Sequence, residues 1–289
     1  MYVDAFYLEN KKHEGVVYVS ERDPITKQRN IKQYQFDHVL YYEDPRGTKQ
    51  AIDGTKVSKY VTPRKDILRA KRQELIDNNY KYYEDDIKPE FRVLEENYFG
   101  KPDPQLQVMI FDIEADFHPT KGYAPVEDPF NKITAISMYL CWCDQTITLT
   151  MKPDTLTVAE ASAICAKYSD CYLFDSEKEM LRTFTEIANE ADVITGWNST
   201  GYDIPYTINR INLLFSAENP KDSPLYNLCL FGQKPKKRKY IKFKKESITY
   251  DLIGIVHLDY LELYQKHNAQ QLHSYTLDFV GQLEVGDSK

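Results

Sequence analysis

No apolar run in this 289-residue chain approaches the length of about 18 residues at which a membrane-spanning helix is read. The residues after Met1 also lack the basic-then-apolar order of a secretory signal. Both absences predict a soluble protein of the cytoplasm. Cysteine is scarce and odd in number: Cys141, Cys143, Cys165, Cys171 and Cys229. Their irregular spacing suggests neither a disulfide framework nor a zinc site and predicts reduced, buried thiols. Positive charge is in deficit, with 37 Lys and Arg against 44 Asp and Glu, a formal net charge of −7. That excludes an undiscriminating nucleic-acid coat protein. It leaves open an enzyme that binds cations through carboxylates and DNA through a local basic stripe. Internal repeats are absent.

What is present is enough for one large domain or two ordinary ones. Hydrophobic residues make up 42% of the chain, sufficient for a core. Tyr outnumbers Phe, 23 to 13, and suits wet grooves and stacking surfaces. Residues 1–100 read as a small mixed α/β unit. Val16 to Val19 and Tyr34 to Tyr42 are strand-like, separated by turn signals at Asp23-Pro24 and Asp44-Pro45-Arg46-Gly47. A charged helix from Pro63 to Asn78 carries Ile67, Leu68 and Leu75 on its apolar face. Lys101-Pro102-Asp103-Pro104 marks the boundary with a second unit, residues 101–289.

Beyond that boundary strands and helices alternate. Leu106–Ile113, Ile133–Leu140, Gln145–Met151, Tyr172–Phe174 and Val193–Gly196 read as strands. Thr157–Lys167, Ser176–Glu190 and Ile204–Phe215 read as helices, with a capping box expected at Ser176 and Glu179. The pattern predicts an α/β class with a mixed sheet covered by helices.

Two constellations carry chemistry. In Phe111-Asp112-Ile113-Glu114-Ala115-Asp116, strand periodicity puts Asp112 and Glu114 on one face and Ile113 in the core. Two carboxylates at the end of a buried strand either hold a hard divalent cation or form a solvated strand end. In Thr195-Gly196-Trp197-Asn198-Ser199-Thr200-Gly201-Tyr202-Asp203-Ile204-Pro205-Tyr206, a strand runs into a turn and a helix begins at Asp203. Taken alone, Asp203 is accounted for by helix capping.

Together these stretches resemble the exonuclease motifs of the family B DNA polymerases, most closely those of T-even-like bacteriophages. Phe111-Asp112-Ile113-Glu114 is similar to the first motif. Gly196-Trp197-Asn198 through Tyr202-Asp203-Ile204-Pro205-Tyr206 to Asn209-Arg210-Ile211 is similar to the second. Weaker similarity extends through Asp53-Gly54 to Tyr60, Leu258 to Tyr264 and Ser274 to Asp278, so it covers nearly the whole chain. The resemblance implies a ribonuclease H-like exonuclease domain with a mixed central sheet, preceded by a small mixed α/β amino-terminal domain. It implies that Asp112, Glu114 and Asp203 are the catalytic, metal-binding carboxylates for two Mg2+ or Mn2+ ions. Asn198 would hold the primer terminus. Tyr123 is either an ordinary loop tyrosine or the family's aromatic that lies against the terminal nucleotide.

In the family a third motif, with a further Asp and a Tyr, lies C-terminal to the region of Leu277-Asp278. The sequence reaches Lys289 without it and without polymerase motifs. Tyr250-Asp251 has suitable residue types, but its spacing and flanks do not match. The expectation is the front part of a phage DNA polymerase, acting on primer–template DNA and single-stranded 3′ ends. A carboxy-terminal polymerase portion, in the same or a separate chain, would be its partner, and replisome proteins such as a sliding clamp would bind regions outside this chain. The alternatives are a free-standing 3′–5′ exonuclease and a non-catalytic DNA-binding subunit of a split polymerase.

Lys234 to Lys245 holds eight basic residues in twelve. Ile241 and Phe243 alternate with Lys242 and Lys244, which predicts a β-hairpin with a basic face. Lys244 to Ser247 would form the turn and Ile248 to Ile255 the return strand. Lys236, Lys237, Arg238 and Lys239 are its candidate DNA-binding residues, and a solvated loop is the alternative.

Overall fold

The computed structural model describes residues 2–242 and 245–287. The chain divides into two compact units at Gln105/Leu106. In the first, strands β1 (Tyr2–Glu9), β2 (Gly15–Arg22) and β3 (Arg29–Phe36) form an antiparallel sheet. Strands β4 (His38–Glu43), β5 (Lys49–Gln50), β6 (Lys56–Thr62) and β7 (Tyr82–Tyr83) form a second, in the order β5-β6-β4-β7. The run from Tyr34 to Tyr42 is therefore two strands of different sheets, parted at Asp37. Helix α1 (Lys65–Asp77) buries Leu75, but Ile67 is an exposed residue. Helix α2 (Pro89–Tyr98) starts at a proline, whose missing N–H costs nothing in the first turn. It contributes Val93 and Tyr98 to a core with Val17, Val19 and Phe36.

The second unit is built on a six-stranded sheet. Its strands in chain order are β8 (Val108–Ala115), β9 (Ile133–Leu140), β10 (Gln145–Met151), β11 (Cys171–Phe174), β12 (Val193–Gly196) and, after a hairpin, β15 (Val256–Asp259). In space they run β11-β10-β9-β8-β12-β15. β8 pairs antiparallel with β9 and parallel with β12, so the sheet is mixed and β8 is interior. Helices α3 (Val158–Cys165), α4 (Glu177–Asn189) and α5 (Asp203–Leu214) connect the strands. The hairpin strands β13 (Lys236–Lys242) and β14 (Lys245–Asp251) stand apart as a two-stranded ribbon. Helices α6 (Tyr260–His267) and α7 (Leu277–Glu284) follow β15.

The alternation in β8 decides which face is core. Met109, Phe111 and Ile113 are buried with Met180 and Phe184 of α4 and Ile204 and Ile208 of α5. Ile110, Asp112 and Glu114 take the opposite face, as period-two geometry requires. Asp192 and Asp203 accept β8-side backbone donors, from Gln107 N–H at 2.9 Å and Ile113 N–H at 3.1 Å.

The capping box sits at α3, where Thr157 and Glu160 exchange both bonds; Ser176 makes no side-chain cap. The residue after Ser176, Glu177, turns its carboxylate inward. It accepts from Ile133 N–H at 2.9 Å and from Arg210 of α5 at 2.8 and 2.6 Å. Arg210 also donates to the Pro129 carbonyl at 2.8 Å. This fork joins α4, α5 and the segment entering β9, and both side chains are 8% exposed. Of the thiols only Cys229 is buried; Cys141 and Cys143 are exposed, contrary to the sequence expectation.

A buried pair that loses one partner leaves an uncompensated charge or unpaired donors in the core. Glu177→Ala is therefore expected to destabilise the protein by about 3–5 kcal/mol, while Lys178→Ala, altering an exposed pair with Glu218, should cost under about 1 kcal/mol. Urea unfolding of both variants measures the contrast; equal losses would show that the fork does not organise the core.

Candidate active site

β12 pairs with β8 only from Val193 to Thr195, opposite Val108 to Ile110. At Gly196 the chain leaves the sheet. A Cβ there would lie 2.5 Å from the Phe111 carbonyl oxygen, so the close approach of strand and turn requires glycine. Past this point the flank of β8 has no strand beside it from β12, and the Ile113 N–H needs another acceptor. The carboxylate of Asp203 supplies it. Asp203 is the first residue of α5, 3% exposed, with Tyr202 in the N-cap position. Its anionic side chain also suits the positive end of the helix.

Asp203 thus reaches the one backbone amide that lies between Asp112 and Glu114. Asp112 is half-buried opposite Ser137 of β9; Glu114 is exposed opposite Ala135, next to a register shift at Ala115. Bulges of this kind re-aim neighbouring side chains. Tyr202 joins the group. Its phenol is raised above the ordinary value, first by burial and then by the negative charges of Asp203 and Glu114, with Tyr123 also contributing. The donor set is all hard oxygen, which fits a divalent cation. Among the described residues no three His, Cys, Asp or Glu side chains are gathered closely enough to hold an ion alone.

Asn198 occupies the turn between β12 and α5 with a left-handed φ of 58°, a conformation asparagine tolerates better than most residues. A Cβ on Gly201 would come within 2.8 Å of its Oδ1, so the carboxamide lies over that glycine. Ser199 is fully buried and its hydroxyl meets both the Gly196 carbonyl, at 3.2 Å, and His257 Nε2, at 2.8 Å. Trp197 packs against Tyr260 and Tyr264 and donates to the Tyr275 carbonyl at 3.1 Å. On the face carrying Asp112, a groove of about 460 Å³ runs past Ile110, Tyr139, Thr195, Trp197 and Leu277.

Tyr123 is 74% exposed and packs edge-on against Phe117. Its loop is tied to α5 through Asn209, whose Nδ2 donates to the Val126 carbonyl at 2.7 Å. Asn209 Oδ1 accepts from the Tyr250 hydroxyl of β14 at 2.6 Å.

The hairpin differs from expectation in two ways. Lys245, Glu246 and Ser247 belong to the return strand, which ends at Asp251 instead of Ile255. Cross-strand register sets Lys236 and Arg238 on one face and Lys237 and Lys239 on the other, so both faces are basic. Arg238 pairs with Asp251 and Lys239 with Glu246, at 2.8 and 2.7 Å. Phe243 and Lys244, where a turn and a face were expected, lie outside the described residues, as do the side chains of Lys242 and Lys245.

Sequence reasoning missed Tyr202 and Asp259. In sequence Tyr202 is only the residue before Asp203. Asp259, 5% exposed, accepts from three backbone amides, Asn198, Thr200 and Leu261. Its distance of some sixty positions from the turn left no local signal.

The chain matches the family described as "DNA polymerase family B, exonuclease domain" over residues 65–280, and it belongs to that family. The exonuclease domain of this family is ribonuclease H-like and metal-dependent, in keeping with the mixed α/β sheet seen here. Curated relatives agree. The DNA-directed DNA polymerase of Escherichia phage RB69 is 32% identical over 124 residues, and that of Enterobacteria phage T4 is 32% identical over 119. Each match covers 40% of this chain and 12% of the relative. The DNA polymerase delta catalytic subunit of Schizosaccharomyces pombe is 26% identical over 186 residues, covering 64% of this chain and 16% of the relative. The chain therefore matches a small fraction of each relative's length.

His257 offers a test of the packing beneath the turn. Burial first of all lowers its pKa to about 4 from 6.5. A folded-state value below the unfolded one means that protonation favours unfolding. Stability is therefore expected to be intact above about pH 6.5 and to fall as pH drops toward 4, by on the order of 3 kcal/mol. His257→Gln should flatten that part of the profile. Denaturant midpoints between pH 4 and 7 decide it; parallel profiles for the two proteins would show that His257 does not titrate in this window.

Proposed function

We propose that this chain is the amino-terminal portion of a phage-type DNA-directed DNA polymerase and that its second unit is the proofreading 3′–5′ exonuclease. The observation that carries the reading is Asp203 placed on the Ile113 amide between Asp112 and Glu114. Residues 1–100 are then the amino-terminal domain and residues 101–289 the exonuclease domain. The location is the cytoplasm of the host cell. Among the described residues no helix is long and apolar enough to cross a membrane.

Asp112, Glu114 and Asp203 would hold the divalent cations, Mg2+ or Mn2+. Two such ions, when bound, activate the attacking water and stabilise the leaving 3′-oxygen. The protein's own contribution is positional. The β8 backbone and α5 fix the three acids, the Asn198 carboxamide orients the terminal nucleotide, and Tyr123 lies against its exposed face. Mispaired ends unpair at lower cost, so a site that accepts single strands removes them preferentially. Primer–template DNA is the partner, with a carboxy-terminal polymerase portion and a sliding clamp engaging regions outside this chain.

Mg2+ characteristically takes one or two protein carboxylates and completes its shell with water and substrate phosphates. The acids seen here suit that mode. Mn2+ affinity, measured by calorimetry, should accordingly be weak for the protein alone. It should tighten at least about tenfold with a 3′-ended oligonucleotide carrying a non-hydrolysable terminal linkage. Asp112→Ala should abolish the coupling. Tight Mn2+ binding without DNA, or digestion of a labelled strand in the presence of a chelator, would overturn the metal reading.

The hairpin cations would contact phosphates, whose contribution depends on salt and not on base sequence. Lys236→Ala and Lys237→Ala together should flatten the salt slope of primer–template binding by about two contacts. Arg238→Ala and Lys239→Ala should add less, since both residues already face acids. An unchanged slope between roughly 50 and 200 mM salt would reduce the ribbon to a solvated loop.

A further inference from the structure

Beneath the turn that carries Asn198 lies a buried acid with no place in the metal site. Asp259 ends β15, where it is paired in register with Gly196, the residue at which β12 leaves the sheet. Its Oδ1 accepts from Asn198 N–H at 3.1 Å and Leu261 N–H at 2.9 Å, and its Oδ2 from Thr200 N–H at 2.9 Å. One carboxylate therefore caps α6 and clamps two amides of the turn leading to Asp203.

The turn needs such a clamp. Asn198 has a left-handed backbone, a conformation that persists only where the surroundings over-determine it. Within the turn, the Asn198 carbonyl accepts from Gly201 and Tyr202, and the Ser199 carbonyl accepts from Ile204. These bonds close the loop on itself without fixing it to the sheet. Asp259 and the contact of Ser199 with His257 tie it to β15. An anionic acceptor is the stronger choice, since hydrogen bonds to a carboxylate are about twice as strong as neutral ones.

We propose that Asp259 is a positioning residue of the exonuclease. It acts through the backbone of Asn198 and Thr200 to aim the Asn198 carboxamide at the terminal nucleotide. The proposal rests on the exonuclease reading for the nucleotide and on the hydrogen bonds alone for the clamp.

The deciding variant is Asp259→Ser. Serine is a good helix N-cap, so α6 keeps its cap, but the side chain is too short to span the turn. Asp259→Asn serves as an isosteric second variant in which one amide meets a donor instead of an acceptor. The clamp is read by amide hydrogen exchange in the 289-residue protein. Exchange at Asn198 and Thr200 should accelerate by at least about tenfold, with protection in α6 and in β8 unchanged. Unchanged exchange at the two turn amides, or a loss of protection spread through the whole unit, would overturn the proposal.

The substrate arm uses a fluorescent oligonucleotide ending in a 3′-hydroxyl and the same strand ending in a 3′-phosphate, both with Ca2+. Asp259→Ser and Asn198→Gly, which keeps the left-handed backbone, should each weaken 3′-hydroxyl binding roughly tenfold. The double variant should lose no more than either single one, because the two residues act through one group. Additive losses would mean that Asp259 acts by another route and overturn its role in aiming Asn198. A wild-type protein that does not distinguish the two ends would sink the exonuclease reading, while the exchange result would still decide the clamp.

Discussion

A backbone N–H buried beside the sheet must find an acceptor, and much of this unit follows from how that demand is met. β12 is only four residues long, so it leaves part of β8 without a parallel neighbour. Buried acids supply the missing acceptors. Asp192 takes Gln107 before the strand, Asp203 takes Ile113 within it, Glu177 takes Ile133 at the start of β9, and Asp259 takes the turn after β12. An unpaired buried donor costs about 1–3 kcal/mol, so each acid is fixed in place by the backbone it serves. Of these acids, Asp203 is the one that reaches the end of β8 carrying Asp112 and Glu114.

That concentration of charge explains the neighbouring electrostatics. Tyr202 is held in its neutral form by burial and by Asp203 and Glu114. A neutral phenol beside two carboxylates can donate a hydrogen bond without adding charge. Deeper in the core Glu177 is matched by Arg210, so the interior carries a balanced pair. The two acid environments differ in their partners: Glu177 meets a guanidinium, while Asp203 meets a backbone amide.

Local patterning carried much of the fold. The alternation and turn signals located β9, β10 and β12 to the residue, and the i, i+2 spacing put Asp112 and Glu114 on one face. The failures share a cause. Tyr34 to Tyr42 looks continuous because nothing in its composition records that Asp37 changes sheets. The residue types of a capping box occur at both Ser176–Glu179 and Thr157–Glu160, yet only the second pair makes the bonds. The hairpin was legible as a ribbon but not in its faces, because the register that splits its cations is set by the partner strand. Asp203 was legible as a helix start, while its bond to an amide 90 positions away was not. Asp259 is legible locally only as the cap of α6 through Leu261, while its bonds to Asn198 and Thr200 cross about sixty positions and leave no sequence sign.

Asn209 ties two distant segments to the helix that begins with Asp203. Its carboxamide grips the Tyr123 loop with the nitrogen and the root of the hairpin with the oxygen, and it sits two turns into the helix that begins with Asp203. Ribbon, helix and loop thus meet at one junction, a single carboxamide with both of its ends engaged.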